Sequence, residues 1–405
     1  MFRPFDPERD REATRRIWRE VGWHDGKDTA SMDVYVDASR ALVGEVDGQA
    51  ECLVLSMPGT LRYLGADLSF AGVMGVTTSL LARGQGLATG LTARLVAEDA
   101  AAGALVSGLG MFEQGFYDRL GFGSGGYDLT VTFDPADLTV GRPARVPRRL
   151  TKADGPAIHA ARLRRHRGHG AVSITPLAGT VEEELAHADG YGLGFGDGDS
   201  LTHGLWLSLV DGKSAHYRVR FLFARDGEDV LDVLRLLRSL ADQVRQVSMR
   251  EPLGIQLQDL LAHPLRSAAA AQDHHRTTVR GLAKWQMRLN DLPGCLAATS
   301  LSGPEAAFNV ELTDPITDHL PADQPWRGVA GRYAVHLGAR SSAERGWADD
   351  LPLLTASVNA FTRLWLGVRP ATGLAVTDDL AAPPELLRAL DISLRLPQPH
   401  PDWDF

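Results

Sequence analysis

The residues Gly75-Val76-Thr77-Thr78-Ser79-Leu80-Leu81-Ala82-Arg83-Gly84-Gln85-Gly86-Leu87-Ala88 decide how the chain is read. A strand runs into a glycine-containing loop, and the loop into a helix that continues to Gly103. Leu87, Leu91 and Leu95 recur at spacing four with Val96 beside them, while Arg94, Glu98 and Asp99 fall between and beyond, and Gly103 supplies a C-terminal stop. Gly84 and Gly86 let main chain approach a bulky anion, and the unpaired N–H groups of the first helical turn add the positive end of a dipole. The stretch therefore reads as a pyrophosphate seat, with Ala104-Leu105-Val106-Ser107 as the next strand. A nucleoside-triphosphate loop is excluded, because G-x-x-x-x-G-K-[ST] needs a lysine that is missing here. A dinucleotide fingerprint needs G-x-G-x-x-G. Counted from Gly84 and Gly86, its third position is Thr89, Gly90 comes one residue late, and no acid closes the next strand before Glu113.

Outward from the loop, residues 1–140 read as one α/β unit. Ile17, Trp18 and Val21 form a helical stripe within 10–23, and segments 41–46 and 51–56 read as strands across an Asp47-Gly48 turn. Segments 61–64 and 68–73 are further strands, so the loop follows a mainly antiparallel meander, whereas a Rossmann domain places its glycines after the first strand. Downstream, Phe116, Tyr117 and Leu120 lie on a short helix stopped by Gly121, and Tyr127, Leu129, Val131 and Phe133 alternate as a closing strand.

Arg83, Gly86 and Ala88 satisfy [QR]-x-x-G-x-[GA], which resembles the acetyl-coenzyme A loop of the GNAT acetyltransferases; taken alone, the pattern is also that of a tight strand-to-helix turn. Phe116-Tyr117-x-x-Leu120-Gly121-Phe122 resembles the stretch in which a GNAT tyrosine reaches the sulfur of coenzyme A, the other reading being a packed aromatic with a hydrogen-bonded hydroxyl. Both motifs, in a chain of 405 residues ending in Phe405, resemble the Eis (enhanced intracellular survival) acetyltransferase family.

That resemblance implies α/β and α+β architecture in three parts. They are a GNAT domain at 1–140 that binds acetyl-CoA, a GNAT-like domain at 141–283 without a working cofactor loop, and a sterol-carrier-protein-like domain at 284–405. It implies contacts to acetyl-CoA from Val76, Thr78, Arg83, Gly84, Gly86, Leu87 and Ala88, with backbone at Val76 and Thr78 lining the pantetheine arm and supplying the oxyanion donor. It implies direct attack by a primary amine of aminoglycoside, lysine or polyamine type in a ternary complex. Tyr117 is then the general acid, the Phe405 carboxylate the general base, and the assembly a homohexamer. The competing classes are a CoA-binding regulatory protein and a lipid carrier, neither transferring acetyl groups.

Bulk properties agree with an ordinary globular chain, at 44% hydrophobic and 23% charged residues. The net charge of −9 argues against nucleic acid and favours cationic partners. Cys52 and Cys295 form no framework, and neither a signal peptide nor a membrane-spanning run is evident, so cytoplasmic residence is expected. No H-E-x-x-H or paired C-x-x-C occurs and His263, His274 and His275 lack ligand spacing, so no metal is expected.

The segment 135–147 reads as a linker. Beyond it, the basic run from Arg162 to His169 reads as a solvated helix end or subunit contact, and Gly190 to Gly198 as a mobile loop. The segment 216–223 leads through Asp226, Glu228 and Asp229 into a helix carrying Val230, Leu231, Leu234, Leu237 and Leu240. This repeats the first unit, but with acids where a pyrophosphate would sit. Trp285-Met287-Leu289, Phe308-Val310-Leu312 and Tyr333-Val335-Leu337 alternate as strands, and 351–365 reads as one long amphipathic helix. The proline-stiffened end, Pro397-Gln398-Pro399-His400-Pro401-Asp402-Trp403-Asp404-Phe405, reads as a docked arm, either catalytic or merely structural. Trp23, Asp25 and Asp404 are the candidates for an acceptor pocket of acids and aromatics.

Overall fold

The computed structural model describes residues 1–23, 30–143, 145–179, 190–197, 200–211, 215–264 and 277–404. Contacts divide the chain into two units: residues 1–126 with 168–179 and 284–405, and residues 127–167 with 180–283.

The first unit contains the sheet that carries the loop. Its strands are β1 (Phe2–Pro4), β2 (Arg40–Val46), β3 (Gln49–Tyr63), β4 (Ala66–Thr78), β5 (Val106–Gly110) and β6 (Gly123–Ser124), in that spatial order except that Trp285–Leu289 lies between β5 and β6, and Val172–Ile174 pairs with the far end of β3. The β2–β3 hairpin turns on Asp47 and Gly48, both left-handed (φ 48° and 79°), as a two-residue type I′ turn demands. Helix α1 (Pro7–Glu20) starts on the Asp6 side chain, which accepts from Glu8 N, and buries Ile17 and Trp18. It is followed by α2 (Ala30–Asp37), α3 (Leu87–Ala101) and α4 (Gln114–Asp118). β4 and β5 are parallel and joined by α3, whereas the other neighbours in this sheet are antiparallel. Gly90, which spoiled the dinucleotide pattern, has a packing reason: a Cβ there would lie 2.8 Å from the Phe2 ring.

The first unit also holds a five-stranded sheet in the order Ser342–Arg345, Gly331–Leu337, Ala306–Thr313, Leu353–Ser357, Leu380–Ala381. The segment read as one helix over 351–365 begins as a strand. Leu353–Ser357 alternates in burial, and Ser357 then caps a helix at Val358–Trp365 by accepting from Ala360 N. Leu354, Val358, Phe361 and Trp365 do recur at helical spacing, but the capping serine breaks the run. Tyr63 of β3 stacks on Trp365 with centroids 4.4 Å apart and donates its hydroxyl hydrogen to Trp365 O at 2.8 Å, joining the two sheets' cores.

In the second unit seven strands run in the order Thr278–Ala283, Tyr127–Phe133, Gln246–Arg250, His216–Phe223, Ser200–Asp211, Gly190–Asp197, Arg148–Leu150. His216–Phe223 and Gln246–Arg250 are parallel and joined by the helix Gly227–Ser239, the same β-α-β unit as in the first.

Four sequence readings change here. Tyr127–Phe133 does not close the first sheet but pairs with Thr278–Ala283 and Gln246–Arg250, while Trp285–Leu289 fills the first sheet. The divisions expected at 140 and 283 therefore fall beside strands that pair across them, because alternation marks a strand without naming its neighbour. The glycine-rich run is a strand over Gly190–Asp197: a Cβ at Gly192 would lie 2.4 Å from Trp206, so the glycines admit an indole rather than mobility. The basic run is only partly solvated: Arg164 and His166 are exposed, but Arg162 and Arg165 are 2% and 6% exposed, with the Arg162 guanidinium 4.5 Å from the Phe221 ring centroid. Asp99, placed on the polar side of α3, is 7% exposed and paired with Arg40.

Candidate active site

The loop between β4 and α3 is built to receive an anion. Gly84 and Gly86 have φ of 79° and 74°, which any other residue would adopt with strain, and among the described residues no atom beyond their chain neighbours lies within 4 Å of where their side chains would start. Gly86 caps α3 with no side-chain hydrogen bond, and the first intrahelical bond runs from Gly90 N to Gly86 O at 3.1 Å. The amides of Leu87, Ala88 and Thr89 are thus left for a ligand. Arg83 is exposed and, among the described residues, has neither ion pair nor hydrogen-bond partner. In the second unit the equivalent helix start is already filled. Asp226 accepts from Asp229 N at 3.0 Å, and Asp229 accepts from Arg225 N and Nε at 3.0 and 2.8 Å. That helix start is thus capped by the chain's own side chains.

Beside the loop, β4 offers an open edge. Its pairing with β5 runs from Phe70↔Val106 to Val73↔Leu109 and stops, so beyond Val73 no described strand covers that side. On the other side, Leu53 faces Thr77 and Leu55 faces Met74, leaving Gly75 and Val76 opposite Val54 alone. This is a bulge, with Gly75 at φ 61°, and it bends β4 away from β5 where an extended ligand arm could pair with the half-buried Val76 and Thr78. These features fit coenzyme A: amides and Arg83 for its phosphates, and a strand edge for its pantetheine.

Tyr117 lies on α4, buried in one apolar cluster with Val54, Val73, Leu91 and Leu109, against which Val76, Leu87 and Ala88 also pack. The structure therefore gathers Tyr117 with the loop and strand residues expected to bind the cofactor. Its ring meets Phe116 edge-on at 4.8 Å, and its hydroxyl has no hydrogen-bond partner among the described residues. Burial, helped by Glu113, pushes its pKa up to about 12.

On the opposite face of β4, Trp18 Nε1 donates to Thr77 Oγ1 at 3.0 Å and Trp23, 46% exposed, packs 6.1 Å from Trp18 between centroids. Reading the sequence missed the acids here. Glu20 accepts from Leu80 N at 2.9 Å, and Arg16 bridges Glu20 and Glu51 at 2.8 Å each. Glu51 is 4% exposed and its second oxygen has no partner among the described residues. No spacing pattern links positions 16, 20, 51 and 80, so only folding brings them together. Asp25 and Phe405 lie outside the described residues. Asp404 is exposed; next to it Trp403 is 1% exposed, and His400 N donates to His169 O at 2.9 Å, so the arm is docked up to residue 403. Among the described residues no group of His, Cys, Asp and Glu is set to hold a metal, and no helix is long and apolar enough to cross a membrane.

Comparison with known proteins follows this geometry. Residues 7–125 match the family described as acetyltransferase (GNAT) domain. A search of curated proteins finds no match. Among solved structures, a GCN5-related N-acetyltransferase from Anabaena variabilis is 16% identical over 100% of both chains with a TM-score of 0.79. Eis1 from Mycobacterium abscessus is 20% identical over 100% of both chains with a TM-score of 0.76. A probable N-acyltransferase from Enterococcus faecalis is 17% identical over 98% of this chain and 96% of its own, at 0.77. At these identities the structures share the fold. The matched domain identifies the chain as an acyltransferase that carries a GNAT acetyltransferase domain, with acetyl-CoA as its donor.

Proposed function

We propose that the chain is an Eis-like N-acetyltransferase acting on a primary amine. The observation that carries the proposal is the convergence of an uncapped helix start, an open β4 edge and a buried tyrosine whose hydroxyl has no partner among the described residues, around one apolar cluster. Acetyl-CoA, when bound, supplies an activated thioester. Amides at the start of α3 and the Arg83 guanidinium hold its phosphates. Backbone at Val76 and Thr78 orients the arm and offers an N–H to the developing oxyanion.

Tyr117 O–H faces the departing sulfur. With its pKa at about 12 it is a weaker acid than a thiol near about 8.5. It therefore stabilises the thiolate by hydrogen bonding more than by full proton transfer, and it keeps its proton throughout the working pH range. The amine proton belongs, by the family resemblance, to the Phe405 carboxylate. Adding two residues after Phe405 is expected to cut turnover while leaving acetyl-CoA affinity intact, and an unchanged rate would remove that assignment.

The acceptor is an amine that is cationic until it loses a proton. Support comes from Glu20 and Glu51 at the end of β4, from the exposed Trp23 ring, and from the net charge of −9. Asp25 and Asp404 remain assigned to this pocket. The five-stranded sheet and its helices take the place of the sterol-carrier-like domain in a structural role, and the assembly is proposed to be a hexamer, which light scattering in solution would test. Two buried free thiols, Cys52 and Cys295, support a reducing, cytoplasmic setting. Replacing Tyr117 by Phe should lower kcat and spare the KM for acetyl-CoA, whereas a CoA-binding regulator would bind the thioester and release no thiol with any amine.

A further inference from the structure

Helix α4 carries Tyr117 on only five residues, too few to persist unaided. Its apolar side is held by the cluster already described. Its C-terminal end, where carbonyls lack intrahelical partners, is held by side chains that come from more than 160 residues away along the chain. The Asn359 amide donates to Asp118 O and to Phe122 O, each at 2.9 Å, using both of its hydrogens. Arg288, 0% exposed and paired with the equally buried Asp314 at 2.8 Å, donates to Leu120 O at 2.5 Å. Gln286 donates to the Asp118 carboxylate at 2.6 Å.

The backbone after α4 comes close enough for this only because it is glycine. A Cβ at Gly121 would lie 2.6 Å from Val358 and 2.7 Å from Arg288, and one at Gly123 would lie 2.4 Å from Asn359 O. Gly121 is in addition left-handed, with φ 80°.

We infer that Asn359, with Arg288 and Gln286, forms a clamp that positions Tyr117: these residues touch neither substrate nor cofactor, but they fix the rotation and depth of the helix from which the hydroxyl points. The inference rests on the reading of Tyr117 as the hydrogen-bond donor to the departing sulfur. It explains why chemistry on the first sheet needs residues 286–359: the clamp takes the place of the length that α4 lacks. A shift of α4 by a fraction of an ångström would leave the phosphate seat untouched and displace only the hydroxyl.

The test is a double-mutant cycle on the full chain. Asn359→Ala should lower kcat by about tenfold or more while the KM for acetyl-CoA and the melting temperature stay near parental. In a Tyr117→Phe background the same substitution should change kcat by less than about twofold, because the group it positions is gone. Gln286→Met, which leaves the Asn359 bonds in place, should show the same dependence on Tyr117 at smaller amplitude, and it carries the test if Asn359→Ala does not fold. Equal losses in both backgrounds, or a loss confined to KM, would overturn the clamp while leaving Tyr117's role standing. A parental rate for Tyr117→Phe would overturn the reading beneath it and the clamp with it.

Discussion

At the scale of single residues, the proposal gives Tyr117 to the chemistry and Arg83 to donor binding. On the proposed mechanism, removing the Tyr117 hydroxyl takes away a donor that meets charge only as the sulfur departs. Tyr117→Phe should therefore lower kcat about 10- to 100-fold with KM for acetyl-CoA unchanged, as steady-state kinetics can measure. Because burial holds this phenol at about 12, the pH–rate profile should have no alkaline limb from its ionisation below that value. Arg83 has no competing partner among the described residues, so its charge is available to a phosphate. Arg83→Glu should weaken acetyl-CoA binding by about tenfold or more, roughly 1.4 kcal/mol, as read by calorimetry, with little effect on folding. The left-handed loop glycines and the short helix carrying Tyr117 are legible in the sequence, since glycines at fixed offsets and an apolar run with a glycine stop specify backbone directly. Glu51, Asn359 and Arg288 are not, because their roles arise from neighbours that only the fold brings near.

At the scale of elements, α3 illustrates how a helix read correctly can still hold an unread charge. Its leucine spacing and stop at Gly103 agree with the observed Leu87–Ala101, but Asp99 is turned inward rather than to solvent. Burial pushes its carboxyl up to about 6 from an ordinary 3.8, against the opposing pull of Ser56 and Arg40. Between those two values the folded chain keeps a proton that the unfolded chain has released, so this group's contribution to stability falls as pH rises through the window. Asp99→Asn removes that dependence. It should raise the melting temperature at neutral pH, by the equivalent of up to about 3 kcal/mol, and change little below the unfolded value. The elements misread from sequence share one cause. Gly190–Asp197 and Leu353–Ser357 have their conformation set by a partner, Trp206 in one case and the strand Ala306–Thr313 in the other, and a linear pattern carries no partner.

At the scale of the whole molecule, the matched domain at 7–125 is not a self-sufficient piece of the first unit. Trp285–Leu289 separates β5 from β6, and Tyr63 and α4 are both tied to residues beyond 285. A fragment ending at residue 140 would leave the β5 edge bare and is expected to aggregate rather than unfold cooperatively, as size-exclusion chromatography and thermal melts would reveal. Trp403→Ala, which empties a fully buried site near the chain's end, should cost about 3–5 kcal/mol in denaturant unfolding. The central claim is that the segment from Gly75 to Gly103, with Tyr117 beside it, delivers an acetyl group to an amine. It is tested most directly by following free-thiol release from acetyl-CoA across a panel of primary amines, with wild type and Tyr117→Phe side by side. The account predicts amine-dependent release that drops at least about tenfold in the variant without a change in KM for acetyl-CoA. Tight acetyl-CoA binding with no amine-dependent release, or equal rates for the two proteins, would contradict it.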